Sequence, residues 1–327
     1  MWHNSFGSKF KIEIWGASHT PEIGVRIGGV PAGIALAESD FEADLSRRRA
    51  SAKGTTARHE KDIPTIVSGV SEGVTTGETI EIVFRNGDTR SSDYSQFESH
   101  NRPSHVDFAA RAKYGNDVDL RGSGQFSGRM TVLLVAAGVV AKKLVDSVKY
   151  ETSIVEIGGS RNIEDFPEII DAAIHNGDSV GGVVECCAKG VKVGLGEPFF
   201  DSAESVISHL MFSVPAVKGV EFGSGFEGVR LRGSVRNDCF VDGAGHTATN
   251  NEGGINGGIT NGNDLVVRVA IKPTSTISHE QMTYNKDLGC MAPLVAKGRH
   301  DACIALRAAV VVESVVAIAL AELTLNF

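Results

Sequence analysis

Residues 181–222, GGVVECCAKGVKVGLGEPFFDSAESVISHLMFSVPAVKGVEF, decide our prediction of the fold. The apolar run at 181–191 predicts a buried strand, residues 196–212 predict a helix, and residues 217–225 predict another strand, with glycine turns between them. Residues 24–49 follow the same order, which indicates either an internal duplication or a chance similarity. We predict one α+β domain over residues 1–327, with paired strands before each helix.

The segments before and after residues 181–222 also predict strands and helices. Residues 9–15 and 22–30 predict a strand pair. A helix is predicted over 35–49, with Ser39 as its N-cap and three arginines at its end. Residues 86–106 form a long polar loop, and such loops are usually functional when ordered. The remaining predictions are the strongest helix at 129–147, a strand at 264–274 and a buried helix at 300–323.

The composition of the chain indicates which classes of binding partner are expected. The chain has 327 residues, of which 42% are hydrophobic and 22% charged, with a formal net charge of −8. This balance is typical of a globular protein and disfavours a nucleic-acid-binding surface. The N-terminus has no apolar signal core, and the apolar stretch 130–141 is too short to span a membrane. We therefore expect a cytoplasmic protein with no membrane or nucleic-acid partner.

Five cysteines, at positions 186, 187, 239, 290 and 303, include no CxxC pair. An odd number with adjacent members predicts reduced thiols, without a disulfide framework or a zinc site. No metal site is expected, since HExxH is also missing from the sequence.

A literal GxGxxG occurs at Gly223, Gly225 and Gly228. The dinucleotide-binding fingerprint requires a strand before the glycines and a helix after them. Here the motif runs into VRLRGS, which does not predict a helix. A bulged turn is therefore the favoured interpretation.

Basic and titratable residues predict a site for a small anion. Small residues separate the charges of RRRASAKGTTAR at 47–58, so that an anion could approach the guanidinium groups, which bind phosphate or carboxylate bidentately. His19 follows a strand in WGASHT, and His105 lies in HNRPSHVD. Histidine suits proton transfer near neutral pH. For these residues taken alone, however, a capped turn, an ordinary loop histidine and a solvated helix end are the favoured interpretations.

Taken together, these stretches resemble the chorismate synthase family along nearly the whole chain and in the same order. The similar segments include FKIEIWGASHT, DLSRRRASAKGTTAR, RPSHVDFAARAKYG, GLGEPFFD, NNEGGINGGITNGND, KPTSTIS and KGRHDACIALRA. The resemblance implies a β-α-β sandwich that assembles as a homotetramer. It also implies a lyase that converts 5-enolpyruvylshikimate-3-phosphate to chorismate by 1,4-elimination of phosphate, using reduced FMN without net redox change.

The resemblance assigns a role to each matching residue. His19 would protonate the leaving phosphate, His105 would keep the reduced flavin correctly protonated, and Asp301 would act as a base. Ser18 and Ser127 would lie where flavin and substrate meet. The substrate-binding residues would be Arg48, Lys53, Arg102, Arg129 and Arg299. The flavin-binding residues would be Gln125, Phe126, Ser127, Pro215, Ala216, Asn251, Gly257, Lys272, Pro273, Thr274, Ser275, Thr276 and Arg299.

Several positions depart from the family's pattern. They are Ala17 for Glu, Thr20 for Gly, Ala50-Ser51 for Pro-Gly, Ser104 for Gly, Gln125-Phe126 for Arg-Ser and Ala302 for Pro. The acid–base residues are retained, so we expect an active enzyme with altered flavin affinity. Two other hypotheses are a flavin- or anion-binding protein without activity and, from GxGxxG alone, an NAD-dependent oxidoreductase. The sequence leaves open whether the chain reduces its own FMN with NADPH or uses an external reductant.

Overall fold

The computed structural model describes residues 4–49, 52–56, 60–87, 96–296 and 300–327. The strands are β1 Ser5–Phe6, β2 Lys11–Trp15, β3 Glu22–Gly28, β4 Thr65–Ser68, β5 Val70–Ser71, β6 Val74–Thr75, β7 Ile80–Arg85, β8 Lys149–Ile157, β9 Gly182–Lys189, β10 Val217–Phe222, β11 Ile255–Asn256, β12 Ile259–Thr260, β13 Leu265–Ile271, β14 Gln281–Asn285 and β15 Cys290–Leu294. The helices are α1 Glu42–Arg48, α2 Asp107–Tyr114, α3 Thr131–Leu144, α4 Phe166–His175, α5 Ala203–Ser213, α6 Gly225–Gly228, α7 Gly233–Arg236 and α8 Ala305–Asn326.

Two antiparallel sheets have the same internal topology. One has the order β1-β2-β3-β7-β4 and the other β10-β13-β9-β8. Apart from β1, each sheet consists of a strand pair, a third strand that returns beside the pair, and an outer strand reached through a helix. That helix is α1 in the first sheet and α5 in the second. The repeated order in the sequence therefore corresponds to a repeated topology.

Two long apolar helices lie between the sheets. Helix α3 packs on β3 and against α8, and α8 packs on β8 and β9. Eleven consecutive residues of α3, from Thr131 to Ala141, are buried, which explains why this segment is apolar on every side. The arrangement is the expected α+β sandwich.

By length and composition alone, two helical runs could cross a membrane. They are Arg121–Leu144 and Ala305–Asn326, and their apolar windows are 78% and 83% buried inside the fold. Core helices of soluble proteins share this composition, and here the buried parts of the two runs are α3 and α8, which form the centre of the core.

Three local predictions need correction. Ser39 is not an N-cap, because a 3₁₀ turn at Glu38–Phe41 precedes α1 and the Asp40 carboxylate accepts from the Ala37 N–H. Helix α3 is shorter than predicted, since a separate 3₁₀ turn occupies Gly128–Met130. GxGxxG contains the single helical turn α6 in place of a bulged turn.

Candidate active site

A cavity of about 950 Å³ is lined by residues from both of the topologically equivalent sheet-and-helix units. Its wall includes the C-terminal ends of α1 and α5 and the first residues of α3 and α8. Segments before α2 and after β13 complete it. Because helix N-termini carry partial positive charge, the starts of α3 and α8 favour an anion here.

His105 is held between a carboxylate and a hydroxyl at the cavity wall. Its Nδ1 lies 2.8 Å from Asp107 Oδ1, and its Nε2 lies 3.0 Å from Ser123 Oγ. Burial lowers the pKa of His105 below its usual value, and the nearby Arg102 charge adds to this, although Asp107 acts in the opposite direction. The ring is therefore neutral near pH 7 and able to accept a proton.

Arg102 fixes Asp107 and is not a free anion clamp. Its Nε and Nη2 donate to the two carboxylate oxygens of Asp107 at 2.8 and 2.7 Å, and its guanidinium lies 4.4 Å from the centre of the Phe97 ring. Burial would raise the pKa of Asp107, but the hydrogen bonds from Arg102 and His105 prevail and lower it strongly. The pair keeps an ionised carboxylate behind His105.

Residues 122–124 connect the two candidate histidines. Gly122, Ser123 and Gly124 have φ values of 57°, 69° and 57°, so three successive residues are left-handed. Gly122 lines the cavity and packs against the ring of His19, while Ser123 contacts His105. One tight loop therefore sets the positions of both rings.

Gly122→Ala should disturb His19 directly. An added Cβ would overlap the His19 ring and lie 2.7 Å from Ser18 Oγ, and the left-handed φ disfavours alanine. We expect kcat to fall roughly a hundredfold, because His19 is predicted to be catalytic and small displacements of catalytic groups have effects of that size. Steady-state kinetics with a thermal melt would measure both consequences. Gly289→Ala is the control, since Gly289 has a similar φ of 65°, no atom within 4 Å of the new Cβ, and does not line the cavity. An unchanged kcat in Gly122→Ala would contradict this role for the loop.

Asp62 neutralises two buried guanidinium groups in the cavity wall. Arg48 Nη1 donates to it at 2.8 Å, and Arg129 Nη1 also pairs with it. Arg48 further donates to Thr131 Oγ1 and to the carbonyls of Gly128 and Arg129. Burial lowers the pKa of Arg48 to about 9 against the influence of Asp62. Arg48, predicted as a substrate clamp, mainly joins α1 to the start of α3.

Asp301 and Lys272 also line the cavity. Asp301 Oδ1 accepts from the Thr56 N–H at 2.9 Å, and Arg307 Nη1 lies 3.4 Å from both of its oxygens. Lys272 Nζ donates to the Ser104 carbonyl at 2.7 Å, and burial followed by repulsion from Lys218 lowers its pKa.

Four buried polar atoms of cavity-lining residues have no hydrogen-bond partner among the described residues. They are Arg49 Nε, Gln125 Oε1, Arg129 Nη2 and Thr274 Oγ1. Buried polar atoms are costly unless they are hydrogen-bonded. An acceptor, two cationic donors and a hydroxyl at one cavity are therefore suited to a polar ligand.

Most predicted site residues converge on this cavity. The lining includes Arg48, Arg102, His105, Gln125, Phe126, Ser127, Arg129, Pro215, Ala216, Lys272, Pro273, Thr274, Ser275, Thr276 and Asp301. Arg299 lies outside the described residues.

Other predicted residues lie elsewhere. Ser18 and His19 do not line the cavity, since Gly122 forms the wall in front of them. Lys53 is exposed and pairs with Asp171 at 2.6 Å, because the chain has left α1 there and runs beside α4. Asn251 and Gly257 are also away from the lining, and Asn251 instead donates its amide to Asp238 and to the Arg236 carbonyl.

Sequence reasoning missed several residues of the wall, among them Asp62, Ser123, Lys218 and Arg307. Asp62 and Arg307 complete its charge network, Ser123 contacts His105, and Lys218 adds a cation. Asp62 pairs with Arg129, 67 residues away, and Arg307 donates to the Arg48 carbonyl, 259 residues away. Asp107 is different, because it lies only two residues from His105 in the sequence. This proximity was a local indication that a carboxylate pairs with the histidine.

Comparison with known proteins agrees with this geometry. The chorismate synthase family profile matches residues 10–325. A chorismate synthase of Chitinophaga pinensis is 52% identical over 98% of this chain and 96% of its own length, and one of Dehalococcoides mccartyi is 42% identical over 99% and 97%. A chorismate synthase crystal structure superposes with a TM-score of 0.75 at 27% identity, covering 98% of this chain and 93% of the other. The chain therefore belongs to the chorismate synthase family and is a chorismate-forming lyase of the shikimate pathway.

Proposed function

We propose that the enzyme converts 5-enolpyruvylshikimate-3-phosphate to chorismate and phosphate by 1,4-elimination, with reduced FMN as the cofactor. The observation that carries the proposal is a single cavity that combines a neutral His105, a carboxylate at Asp301 and an excess of cationic side chains. This set can bind a multiply charged anion and move protons.

The cavity suits FMN beside a small substrate. Its volume of about 950 Å³ is at the upper end for small-molecule sites. Phe126, Pro215 and Ile304 provide apolar surface for a planar ring system. Lys272 and the hydroxyls of Ser275 and Thr276 suit the phosphate of FMN. Reduced FMN, when bound, would supply transient electron density and a proton acceptor at N5.

Cations of the wall match the charges of the substrate, which bears a phosphate and two carboxylates. The lining contains Arg48, Arg49, Arg102, Arg129, Lys218, Lys272 and Arg307, against the carboxylates of Glu60, Asp62 and Asp301. Two of these cations have partners outside the lining, since Arg102 pairs with Asp107 and Arg49 with Glu42. Arg129 is the favoured anion ligand, because its Nη2 is buried and has no partner among the described residues. Preorganised cations would stabilise the charge that builds up on the departing phosphate.

Proton transfer is divided between separate groups. His105 is held neutral and faces the cavity, so it can control the protonation of a bound cofactor. Asp301, fixed by Thr56 and Arg307, is available as a base. We assign protonation of the leaving phosphate to His19, which would approach the cavity past Gly122.

Two departures from the family's pattern have a structural explanation. Ser104 has φ 55°, a left-handed value that glycine adopts more readily, so its replacement of glycine costs some stability. Phe126 lines the cavity beside Tyr114, with ring centroids 6.5 Å apart. An apolar wall has therefore replaced a polar contact near the proposed flavin site.

We further propose a cytoplasmic homotetramer. Apolar side chains at 226–241 are exposed in the single chain, including Phe226 at 71%, Val229 at 80% and Phe240 at 72%. Clusters of this kind usually mark an interface. Sedimentation equilibrium would show four chains per particle, and a monomer would contradict the assembly.

The reaction is tested under anaerobic conditions. The purified enzyme, dithionite-reduced FMN and 5-enolpyruvylshikimate-3-phosphate should yield equal amounts of chorismate, followed by absorbance, and phosphate. Omitting the dithionite should abolish both products. Replacing it with NADPH distinguishes self-reduction from an external reductant. Binding of FMN and substrate without product would instead favour the binding-protein hypothesis.

Lys272→Met tests the proposed flavin phosphate site. We expect the Kd for FMN to rise about ten- to hundredfold, since a charge-assisted hydrogen bond is removed. Lys189→Met is the matched control, because Lys189 pairs with Glu151 at 2.7 Å on β8 and β9 and does not line the cavity. Fluorescence titration with FMN measures both. Equal Kd values for Lys272→Met and the wild type would place the phosphate elsewhere.

A further inference from the structure

Ser123 has an unfavourable backbone conformation beside the catalytic histidine. Its φ and ψ are 69° and 9°, between two left-handed glycines. Residues with a Cβ rarely adopt this region, and a serine here costs stability that glycine would not. Strained residues of this kind concentrate at functional sites.

The side chain of Ser123 contacts His105, and this contact requires a serine where glycine would be more stable. Its Oγ lies 3.0 Å from Nε2 of His105, while Nδ1 of the same ring lies 2.8 Å from Asp107 Oδ1. An ionised carboxylate only accepts hydrogen bonds, so Nδ1 carries the proton. In the neutral ring Nε2 is then the acceptor, and Ser123 donates its hydroxyl proton to it.

We propose that Ser123 is a positioning residue, which holds the neutral His105 ring between its own hydroxyl and Asp107 and so sets how Nε2 faces the cavity. The inference rests on the proposed function of this cavity and deepens it. Both partners of the ring are then defined: Asp107 fixes the tautomer, and Ser123 fixes the direction of the unprotonated Nε2.

A purely structural role predicts the opposite effect of substitution. If Ser123 served the fold, removing its hydroxyl would lower stability together with activity. If it positions His105, Ser123→Gly should relieve the backbone strain, raise Tm and still lower activity. Stability and catalysis would then change in opposite directions.

The experiment compares Ser123→Gly with Ser123→Ala. We expect kcat to fall roughly tenfold in both, the effect of one ordinary hydrogen bond, while KM and the Kd for FMN stay unchanged. Of the two Ser123 variants, Ser123→Gly alone should raise Tm, because alanine keeps the Cβ that strains the backbone. Glu72→Gly is the control for strain relief, since Glu72 is exposed with φ 50° in the β5–β6 turn, away from the cavity. It should raise Tm and leave kcat unchanged.

A second readout is independent of turnover. In the protein without flavin or substrate, the ¹⁵N resonance of His105 Nε2 should shift towards that of an acceptor without a hydrogen bond in both Ser123 variants. An unchanged resonance, or an unchanged kcat in Ser123→Gly, would overturn the inference. If the wild type binds substrate but forms no chorismate, the proposed function fails, and the resonance alone decides whether Ser123 holds the ring.

Discussion

Asp107→Asn should lower kcat by about a hundredfold with little change in KM. The carboxylate lies 2.8 Å from His105 Nδ1 and accepts two hydrogen bonds from the Arg102 guanidinium and one from the Arg102 backbone N–H. An asparagine of the same size cannot hold the ring in one tautomer with equal strength, because its amide can present either a donor or an acceptor. Partners that orient a catalytic histidine typically contribute ten- to hundredfold, and acid–base catalysis itself more.

The same change should lower the pKa of His105 further. The Asp107 hydrogen bond and charge raise this pKa, whereas burial and Arg102 lower it. Removing the carboxylate leaves only the lowering contributions, so the ring stays neutral to a lower pH in the variant than in the wild type. Anaerobic kinetics across pH and NMR titration of His105 measure the two effects separately.

Asp242→Asn is the matched control for this prediction. Asp242 also pairs with a histidine, His246, at 2.6 Å, but both side chains are exposed and lie away from the cavity. Its replacement should leave kcat unchanged. If Asp107→Asn shifts the pKa of His105 and keeps the wild-type kcat, Asp107 serves stability alone.

A depressed histidine pKa also has a consequence for stability. Protonation of His105 is easier in the unfolded chain, whose histidine pKa is near 6.5, than in the fold. Below that pH the unfolded state binds more protons, so this residue destabilises the fold as pH falls from about 6.5 towards the folded pKa.

The sequence predicted those parts of the fold and site that depend on local pattern. The β2–β3 pair, α8 and the strands that flank α5 follow from periodicity and turn residues, and the repeated order proved to be a repeated sheet topology. Gln125–Ser127 and Lys272–Thr276 were assigned through contiguous motifs, and both segments line the cavity.

The other features of the fold and site depend on tertiary packing, which cannot be deduced from any local sequence pattern. The RRRASAK segment looks like one cluster of cations, yet its members have separate partners: Arg47 pairs with Glu313, Arg48 with Asp62 and Lys53 with Asp171. These partners lie up to 266 residues away, so charge spacing could not distinguish an anion clamp from a structural ion pair. The left-handed Ser123 is likewise invisible in a sequence where serine fits almost any loop.

Asp62→Asn should have the largest effect on stability, a loss of about 3–5 kcal/mol in the free energy of unfolding. Asp62 is almost fully buried and is the carboxylate shared by Arg48 and Arg129. The substitution leaves two buried guanidinium groups without their counter-charge. Backbone strain does not confound it, because asparagine tolerates the left-handed φ of 49° as well as aspartate does. Urea denaturation followed by circular dichroism measures the change.

Asp119→Asn provides the contrast, since Asp119 pairs with Arg121 at 2.7 Å but both side chains are roughly half exposed. Exposed pairs contribute at most about 1 kcal/mol, so this variant should remain close to the wild type. Inorganic phosphate should also stabilise Asp62→Asn more than the wild type, because an added anion can replace the missing charge at the cavity wall. Equal destabilisation of the two variants, or an equal response to phosphate, would mean that Arg48 and Arg129 do not depend on Asp62 for their neutralisation.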